Sequence, residues 1–213
     1  MPEKNINSTT MLPAALRPTP DESGMTVPQL LEHRINALFE QIPLVAELGE
    51  AFAQAGHDLY LVGGSVRDAL MGRLGHDLDF TTDARPDDTE AILRQHTHAT
   101  WDIGRAFGTI GAQIDDWVVE VTTYRADAYH PDSRKPEIVY GETLKDDLIR
   151  RDFTVNAMAL HAATRTFSDP YAGLTDIVSG ILRTPFPPER SFSDDPLRMM
   201  RAARFTSQPV SYT

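Results

Sequence analysis

Apolar residues recur with helical spacing in two stretches near the start of the chain, after a polar segment. The stretches cover residues 29–42 and residues 44–55, and a glycine follows the second one. Apolar side chains three and four positions apart share one face of a helix, so the pattern predicts two amphipathic helices that pack against a sheet. Residues 1–26 contain several prolines and few large apolar residues, which indicates a flexible tail.

Alternating and β-branched runs farther along the chain predict strands, which turns and shorter helices separate. In chain order the pattern predicts a strand at 59–62, a helix at 66–71, a strand at 76–82, a helix at 86–96, a hairpin of strands at 108–114 and 117–124, ordered structure at 143–150 and at 155–160, and a helix at 195–205. Asp115 and Asp116 form the turn of the hairpin, and the polar segment 125–135 is predicted to be a mobile loop. These elements predict an α+β fold with a mixed β-sheet flanked by helices.

Composition narrows the choice of metal, partner and compartment. The 213 residues include no cysteine, so a bound metal must use carboxylates or histidines, which favours hard cations such as Mg²⁺. The net charge of −11 argues against general nucleic-acid binding, but arginines gather in the C-terminal third and can form a local basic surface for RNA. The chain has neither a signal-peptide pattern nor about 20 consecutive apolar residues. We therefore expect a cytoplasmic protein without a membrane partner.

Two aspartates, Asp77 and Asp79, stand two positions apart in a predicted strand. Residues two apart in a strand point to the same face, so both carboxylates project together while Leu78 and Phe80 point to the core. Like charges held this close favour a divalent cation between them. In phosphoryl transfer, two such ions about 4 Å apart would bind a triphosphate and activate the attacking 3′ hydroxyl. An isolated pair of this kind is more often solvated, but here a glycine turn and an arginine precede it.

A third carboxylate, Glu120, stands among apolar and β-branched residues in the second arm of the hairpin. On a strand next to that of Asp77 and Asp79, it would complete a set of three catalytic carboxylates. An outward-facing glutamate on an edge strand fits the sequence equally well.

The sequence Gly63-Gly64-Ser65 follows a predicted strand and opens a helix. Glycines let an anion approach the backbone N–H groups closely, and the positive end of the helix points to the same place, so a triphosphate can bind there. Ser65 can donate its hydroxyl, and Arg67 can reach a phosphate with two donors. Asp68 would orient Arg67 or cap the helix. The spacing matches neither of the common phosphate-binding fingerprints, which disfavours kinases and dehydrogenases.

The glycine turn and the paired aspartates belong to a longer sequence motif. Residues 61–68, Leu-Val-Gly-Gly-Ser-Val-Arg-Asp, together with Gly72-Arg73 and the sequence His-Asp-Leu-Asp-Phe at 76–80, resemble the first motif of the tRNA nucleotidyltransferase and bacterial poly(A) polymerase family, in the DNA polymerase beta superfamily. Three further segments resemble motifs of that family in the same order: 150–159 its ribose-recognising motif, 169–177 its hinge segment and 194–205 its nucleotide-selecting motif. The resemblance extends from residue 59 to residue 205.

The resemblance implies a nucleotidyltransferase head domain in which Asp77 and Asp79 bind Mg²⁺. The glycine turn and the resemblance together give these nucleotide-binding candidates: Gly63, Gly64, Ser65, Arg67, Arg151, Asp152, Asn156, Asp195, Arg198, Arg201 and Arg204. In the family the equivalents of Asp195 and Arg198 pair with the base edge and act as a protein template. A carboxylate and a guanidinium three positions apart share a helix face and can match the edge of cytosine or adenine.

The nucleotide-selecting motif departs from the family pattern at its first residue. This residue is usually glutamate and is here Asp194, whose shorter side chain would loosen its contact with Arg198. Farther along the same stripe, Arg201 and Arg204 are expected to meet phosphates.

The resemblance predicts a template-independent RNA nucleotidyltransferase that adds CCA to the 3′ end of tRNA from CTP and ATP. A poly(A) polymerase, which adds only A, and a nucleotide-binding fragment without turnover remain alternatives. The predicted division is a flexible tail at 1–26, a head domain at 27–183 and the start of a helical neck at 184–213. Family members continue into further helical regions that grip tRNA, so the chain is expected to be truncated at its C-terminus. The oligomeric state stays open.

Overall fold

The computed structural model describes residues 19–73, 75–126 and 139–207. Its helices are α1 (Val27–Gln41), α2 (Leu44–Gln54), α3 (Gly63–Leu70), α4 (Pro86–Leu93), α5 (Leu144–Ile149), α6 (Gly173–Ser179), α7 (Pro188–Asp194) and α8 (Leu197–Ser207). Its strands are β1 (Leu59–Val62), β2 (Asp77–Thr82), β3 (Thr100–Trp101), β4 (Thr109–Ile114), β5 (Trp117–Thr123), β6 (Arg125–Ala126), β7 (Val139–Tyr140), β8 (Ala159–His161) and β9 (Phe167–Ser168). Within this part of the chain, no helix is long and apolar enough to cross a membrane.

The strands form a seven-stranded sheet in the order β3-β4-β5-β2-β1-β8-β9, and β6 pairs with β7 in a separate ribbon. The β2–β5 pair is parallel, and the other neighbours in the large sheet are antiparallel. Helices pack against this mixed sheet, so the predicted α+β fold is confirmed. The hairpin predicted around Asp115 and Asp116 is also present, with Asp115 in the left-handed conformation at φ 50°.

Alternation along the central strands separates the core from the face that carries polar groups. Leu78 and Phe80 of β2 are buried, as are the alternate apolar residues of β4 and β5. The helices that cover this apolar face include α2, with Leu48 and Phe52 fully buried, and α4. Because successive side chains of a strand point to opposite faces, the polar residues between these core positions lie on the other side of the sheet.

The segment just before α1 packs on the domain, contrary to the flexible tail predicted as far as residue 26. Glu22 and Arg34 are each 5% exposed and form an ion pair of 2.9 Å, and Arg34 also donates to the carbonyl oxygen of Leu70. The ion pair lowers the pKa of Glu22 to about 2. A buried pair of this kind fixes both partners in place because either charge alone would be costly. Residues 1–18 lie outside the described residues.

The helix predicted at 195–205 is preceded by a second, separate helix. Between α7 and α8, Asp195 has an extended backbone, with φ −143° and ψ 95°. Pro196 lacks an N–H and disfavours helical geometry in the residue before it, which accounts for the break. Most of the loop predicted at 125–135 lies outside the described residues, as do residues 208–213. The ordered structure predicted at 155–160 is a single helical turn, Thr154–Asn156, followed by β8.

Candidate active site

Asp77, Asp79 and Glu120 lie on one face of the sheet, at the parallel pair β2 and β5. Asp79 is registered with Glu120, and Asp77 is registered with Val118. Registered residues of neighbouring strands point to the same side and their strands are about 4.8 Å apart, so the side chains of Asp79 and Glu120 are neighbours. Asp79 is half-buried, whereas Asp77 and Glu120 are exposed. Glu120 thus lies where a third catalytic carboxylate is needed, and its role stays a prediction.

Burial and the repulsion of neighbouring carboxylates disfavour the charged forms of Asp79 and Glu120. The pKa of Asp79 is raised by burial, lowered in part by Arg151 and raised again by Asp77. Burial also raises the pKa of Glu120, and the charges of Asp79 and Asp77 add to the shift. A divalent cation between these oxygens would relieve the repulsion, and carboxylate oxygens suit a hard cation.

The carboxylates do not form a complete metal cage on their own. In the ranges 19–73, 75–126 and 139–207, no group of three His, Asp or Glu side chains is arranged to hold a metal ion. A cation at Asp77 and Asp79 would therefore need further oxygen ligands, such as water or the phosphates of a substrate, which is the usual way in which proteins bind Mg²⁺.

Ser65 joins the start of α3 to the strand that carries the aspartates. Its hydroxyl donates to the carbonyl oxygen of Asp77 at 3.1 Å and accepts from the N–H of Asp79 at 3.2 Å. Because a hydroxyl carries one proton, the predicted donation to a phosphate would require Ser65 to release Asp77. In this arrangement Ser65 fixes the backbone on both sides of Leu78 and thereby positions the two carboxylates.

Gly63 allows an arginine to approach the end of β1. Its φ of +67° lies in the left-handed region, and a Cβ atom there would be 3.1 Å from Nη1 of Arg151 and 3.8 Å from Oδ2 of Asp79. A side chain at this position would therefore be strained and would crowd both groups. Arg151 also donates to Asp147 at 2.9 Å. The glycine turn thus brings a guanidinium next to the carboxylates, as well as exposing backbone N–H groups.

Arg67 binds neighbouring side chains and connects α3 to the ribose-motif segment. Its guanidinium donates to both carboxylate oxygens of Asp68, at 3.0 and 2.9 Å, and to Oδ1 of Asn156 at 2.6 Å. It also lies 5.1 Å from the ring centroid of Phe205. The contact predicted between Asp68 and Arg67 is therefore present. The side chain of Arg67 is only 13% exposed, so in this arrangement Arg67 fixes the position of Asn156.

The ribose-motif residues continue this chain of contacts to α8. Asn156 donates to Asp152 at 2.9 Å, and Asp152 forms an ion pair with Arg201 at 3.6 Å. Arg201 in turn donates to Asp195. The motifs predicted to bind the nucleotide, which are far apart in sequence, are thus joined by polar contacts through Arg67, Asn156 and Asp152.

Asp195 and Arg198 face the same cleft, and each is already held by protein groups. Asp195 accepts from the N–H of Leu197 at 3.0 Å and so caps the start of α8. Arg198 donates to the hydroxyl of Ser191 and to the carbonyl oxygen of Arg150, both at 2.6 Å. The residue before this pair, Asp194, forms an ion pair with Arg190 at 3.7 Å. Arg204 is exposed on the last turn of the same helix.

Two clefts with a common wall open at the site. The carboxylate cleft, of about 280 Å³, is lined by Val62, Asp79, Phe80, Glu120, Thr122, Arg125, Asp147, Arg150 and Arg151. The nucleotide cleft, of about 360 Å³, is lined by Gly63, Gly64, Asp79, Arg150, Arg151, Asp152, Asn156, Asp195, Arg198 and Arg201. Asp79, Arg150 and Arg151 belong to both. Most of the predicted nucleotide-binding residues therefore meet in one place, which Ser65 and Arg67 support from outside the cleft wall.

The clefts contain arginine donors that the protein itself does not satisfy. In the described part of the chain, the Nε atoms of Arg125, Arg151, Arg198 and Arg201 are buried without a hydrogen-bond partner. Buried donors are normally satisfied, so these groups indicate an anionic ligand with several oxygen atoms. Sequence reasoning did not single out Arg125, Arg150 or Asp147. Two features of the sequence could have indicated these residues. Arg150 stands in the ribose motif next to Arg151, and Asp147 lies one helical turn before Arg151.

Together, the mixed sheet, the paired carboxylates and the arginine-lined cleft define a nucleotidyltransferase head domain. The chain belongs to the poly A polymerase head domain family, whose sequence model matches residues 59–183. It is 43% identical over 156 residues to the CCA-adding enzyme of Bacillus subtilis, an alignment that covers 73% of this chain and 38% of that enzyme.

Solved structures agree with this assignment. The CCA-adding enzyme of Bacillus stearothermophilus in complex with CTP superimposes with a TM-score of 0.69 at 37% identity, covering 79% of this chain and 39% of that one. A tRNA nucleotidyltransferase complexed with a primer tRNA and an incoming ATP analog gives 0.62 at 34% identity, covering 75% of this chain and 44% of that one. The chain therefore spans about two fifths of the length of these relatives.

Proposed function

We propose that this chain is the catalytic head of an enzyme that adds CCA to the 3′ end of tRNA from CTP and ATP. The observation that carries the proposal is the register of β2 and β5, which sets Asp79, in the wall shared by the carboxylate and nucleotide clefts, beside Glu120 of the carboxylate cleft. The relatives named as CCA-adding enzymes, and the related structures with CTP or with a primer tRNA and an ATP analog, support the choice of substrates. In this proposal residues 184–213 begin a helical neck that follows the head.

The donor set fits Mg²⁺, which Asp77 and Asp79 would hold. When bound, the ion supplies charge stabilisation for the phosphates and lowers the pKa of the attacking hydroxyl. Glu120 adds a third negative charge next to Asp79 and favours the same cation. The guanidinium groups of Arg151 and Arg201, whose Nε atoms make no hydrogen bond within the described residues, would bind the phosphates and the sugar of the triphosphate.

The reaction is a nucleotidyl transfer that balances without a further reactant. The 3′ oxygen of the RNA forms a bond to the α-phosphorus of the triphosphate, and the bond from that phosphorus to the β-phosphate oxygen breaks. Pyrophosphate leaves with the electron pair, and the hydroxyl proton passes to water. The protein groups hold the triphosphate at Gly63, Gly64 and the arginines, so that the α-phosphorus lies next to Asp79.

We expect the replacement of Ser65 by alanine to separate positioning from phosphate binding. Loss of the two hydrogen bonds to β2 should displace the aspartates slightly and lower kcat for nucleotide incorporation by roughly tenfold, with the Kd for CTP changed by less than about twofold. The exposed Ser179 of α6, changed to alanine, is the matched control. A weaker Kd for CTP with kcat unchanged would instead show that Ser65 binds the phosphates.

The proposed function is tested by primer extension with this chain. The reaction contains Mg²⁺ and a tRNA that lacks its 3′ CCA, with CTP and ATP supplied separately and together, and the products are sequenced. The proposal predicts two C residues from CTP alone and a complete CCA end from both. A run of A residues from ATP alone would assign the chain to poly(A) synthesis. Triphosphate binding in equilibrium dialysis without any incorporation would show that the head binds nucleotides but needs further protein for turnover.

A further inference from the structure

A third cleft opens beside the carboxylates, and we call it the side cleft. It has a volume of about 590 Å³ and shares Glu120 and Arg125 with the carboxylate cleft, so the two are continuous. Its remaining wall includes Trp101, Ile103 and Phe107. Ile103 is 87% exposed and Phe107 is 54% exposed. Large apolar side chains exposed next to a catalytic centre indicate a binding surface.

Trp101 stands in one row with the catalytic carboxylates. The register pairs Trp101 with Gly111, Gly111 with Glu120, and Glu120 with Asp79, across four adjacent strands. A methyl group at Gly111 would overlap the indole of Trp101, so the glycine lets the ring cover β4 on the face that carries Glu120. Two strand spacings, roughly 10 Å, separate the backbones of Trp101 and Glu120. This distance is on the scale of one nucleotide.

The order of the clefts determines which substrate the side cleft can take. The nucleotide cleft lies at the start of α3, at β2 and at the segments around Arg151 and Arg198, whereas the side cleft lies at β3, β4 and β5. In phosphoryl transfer the attacking and leaving oxygens are roughly in line on opposite sides of the phosphorus. With the α-phosphorus next to Asp79, as in the proposed function, and the leaving pyrophosphate held by the arginines of the nucleotide cleft, the attacking hydroxyl approaches from the side-cleft end.

Resting on the function proposed above, we propose that the side cleft binds the 3′-terminal nucleotide of the RNA acceptor. The base stacks on the aromatic rings of Phe107 and Trp101, and the 3′ hydroxyl then lies over Glu120 and Asp79. The guanidinium of Arg125, at the junction of the two clefts, binds the phosphate before that nucleotide. It donates to Thr109 at 3.2 Å through Nη2, while its buried Nε makes no hydrogen bond within the described residues.

Charge distinguishes this occupant from a second triphosphate. The nucleotide cleft contains four arginines, Arg150, Arg151, Arg198 and Arg201, whereas the wall of the side cleft contains Arg125 alone among the described residues. One cation beside aromatic and aliphatic side chains matches a nucleotide with a single phosphate charge, which is the repeating unit of an RNA strand. A triphosphate would leave most of its charge unpaired there.

Trp101 provides a direct readout, because the chain contains two tryptophans and Trp117→Phe leaves Trp101 as the only one. We expect a short RNA that ends in CC to quench Trp101 fluorescence saturably. The same RNA with an abasic 3′-terminal nucleotide should quench it little, and CTP or ATP alone should leave it unchanged. Quenching by CTP alone, equal quenching by the abasic RNA, or no quenching at any RNA concentration would overturn the proposal.

Steady-state kinetics of a variant of the exposed Phe107 test the stacking itself. Loss of one stacking partner in Phe107→Ala should raise KM for the RNA acceptor about tenfold and leave KM for CTP unchanged. Val27→Ala, an exposed apolar side chain of α1, is the control and should change neither constant. No change in the RNA KM, or an equal rise in both constants, would contradict the proposal. A wild-type chain whose Trp101 is quenched by RNA but which incorporates no nucleotide would refute the activity and retain the acceptor site.

Discussion

Asp79→Asn is expected to lower the rate of nucleotide incorporation by at least roughly a thousandfold, the scale of losing a group that stabilises transition-state charge. Asparagine keeps the size of the side chain and its place beside Glu120, but it removes the charge that would hold a divalent cation. The rate is measured as single-turnover addition of CMP to a tRNA lacking its 3′ CCA at saturating Mg²⁺. The CTP affinity should fall much less than the rate.

The same substitution should stabilise the metal-free protein at neutral pH. The folded-state pKa of Asp79 lies above its ordinary value of 3.8, with burial the largest cause. The folded protein therefore binds this proton more tightly than the unfolded chain, and its contribution to stability is full below pH 3.8 and is lost as pH rises through the raised pKa. Asparagine removes this loss, so in EDTA the variant should have the higher Tm. Addition of Mg²⁺ should raise the Tm of the wild type and leave that of the variant unchanged.

Asp116→Asn is the matched control, because Asp116 is an exposed aspartate in the turn of the β4–β5 hairpin. It should retain wild-type incorporation and a wild-type response of Tm to Mg²⁺. If Asp79→Asn kept wild-type incorporation, the metal-site interpretation of Asp77 and Asp79 would be wrong.

The second large effect is expected on the choice of base. Asp195→Asn replaces an acceptor oxygen with an amide donor but keeps a side chain that caps α8 through the N–H of Leu197. Discrimination between CTP or ATP and the other two triphosphates should fall by roughly 10- to 100-fold, because an unpaired buried edge costs about 1–3 kcal/mol. The measurement is kcat/KM for each of the four triphosphates with the same acceptor RNA.

The control for this prediction separates base reading from helix capping. Asp195→Ala removes both functions. It should also lower Tm, because the loss of a helix cap reduces the free energy of unfolding by about 1 kcal/mol. If Asp195→Asn retained the wild-type preference among the four triphosphates, Asp195 would not serve as a template. The alanine variant would then report only on the start of α8.

The parts of the fold that depend on local pattern could be predicted from the sequence. The strand, glycine turn and helix at 59–70 and the hairpin around Asp115 are present because their apolar periods and turn residues specify them locally. The observed ends of some helices differ from the predicted ends at positions where a single residue determines the backbone geometry. Thr26 and Pro28 start α1 two residues earlier than predicted, and Pro196 separates α7 from α8.

The contacts that assemble the site were harder to predict because they join distant segments. No local pattern shows that the hydroxyl of Ser65 bonds the backbone of Asp77, or that Arg67 binds Asn156 across 89 positions of sequence. Both side chains were predicted to touch phosphate, since their types suit that role, but tertiary packing gives them protein partners. Glu120 was ambiguous for the same reason, because only strand order decides whether it neighbours Asp79.

The parallel pairing of β2 with β5 has a consequence for folding. The chain between these strands contains α4, β3 and β4, so the pairing requires closure of a long loop, and we expect it to be a late event in folding. A slip of one residue in that pairing would turn Glu120 into the core and Val119 and Val121 toward solvent. Competence for catalysis therefore develops only after the central sheet has reached its native alignment. A nascent or partly folded chain, even one with α1 to α4 formed, holds none of its carboxylates in register.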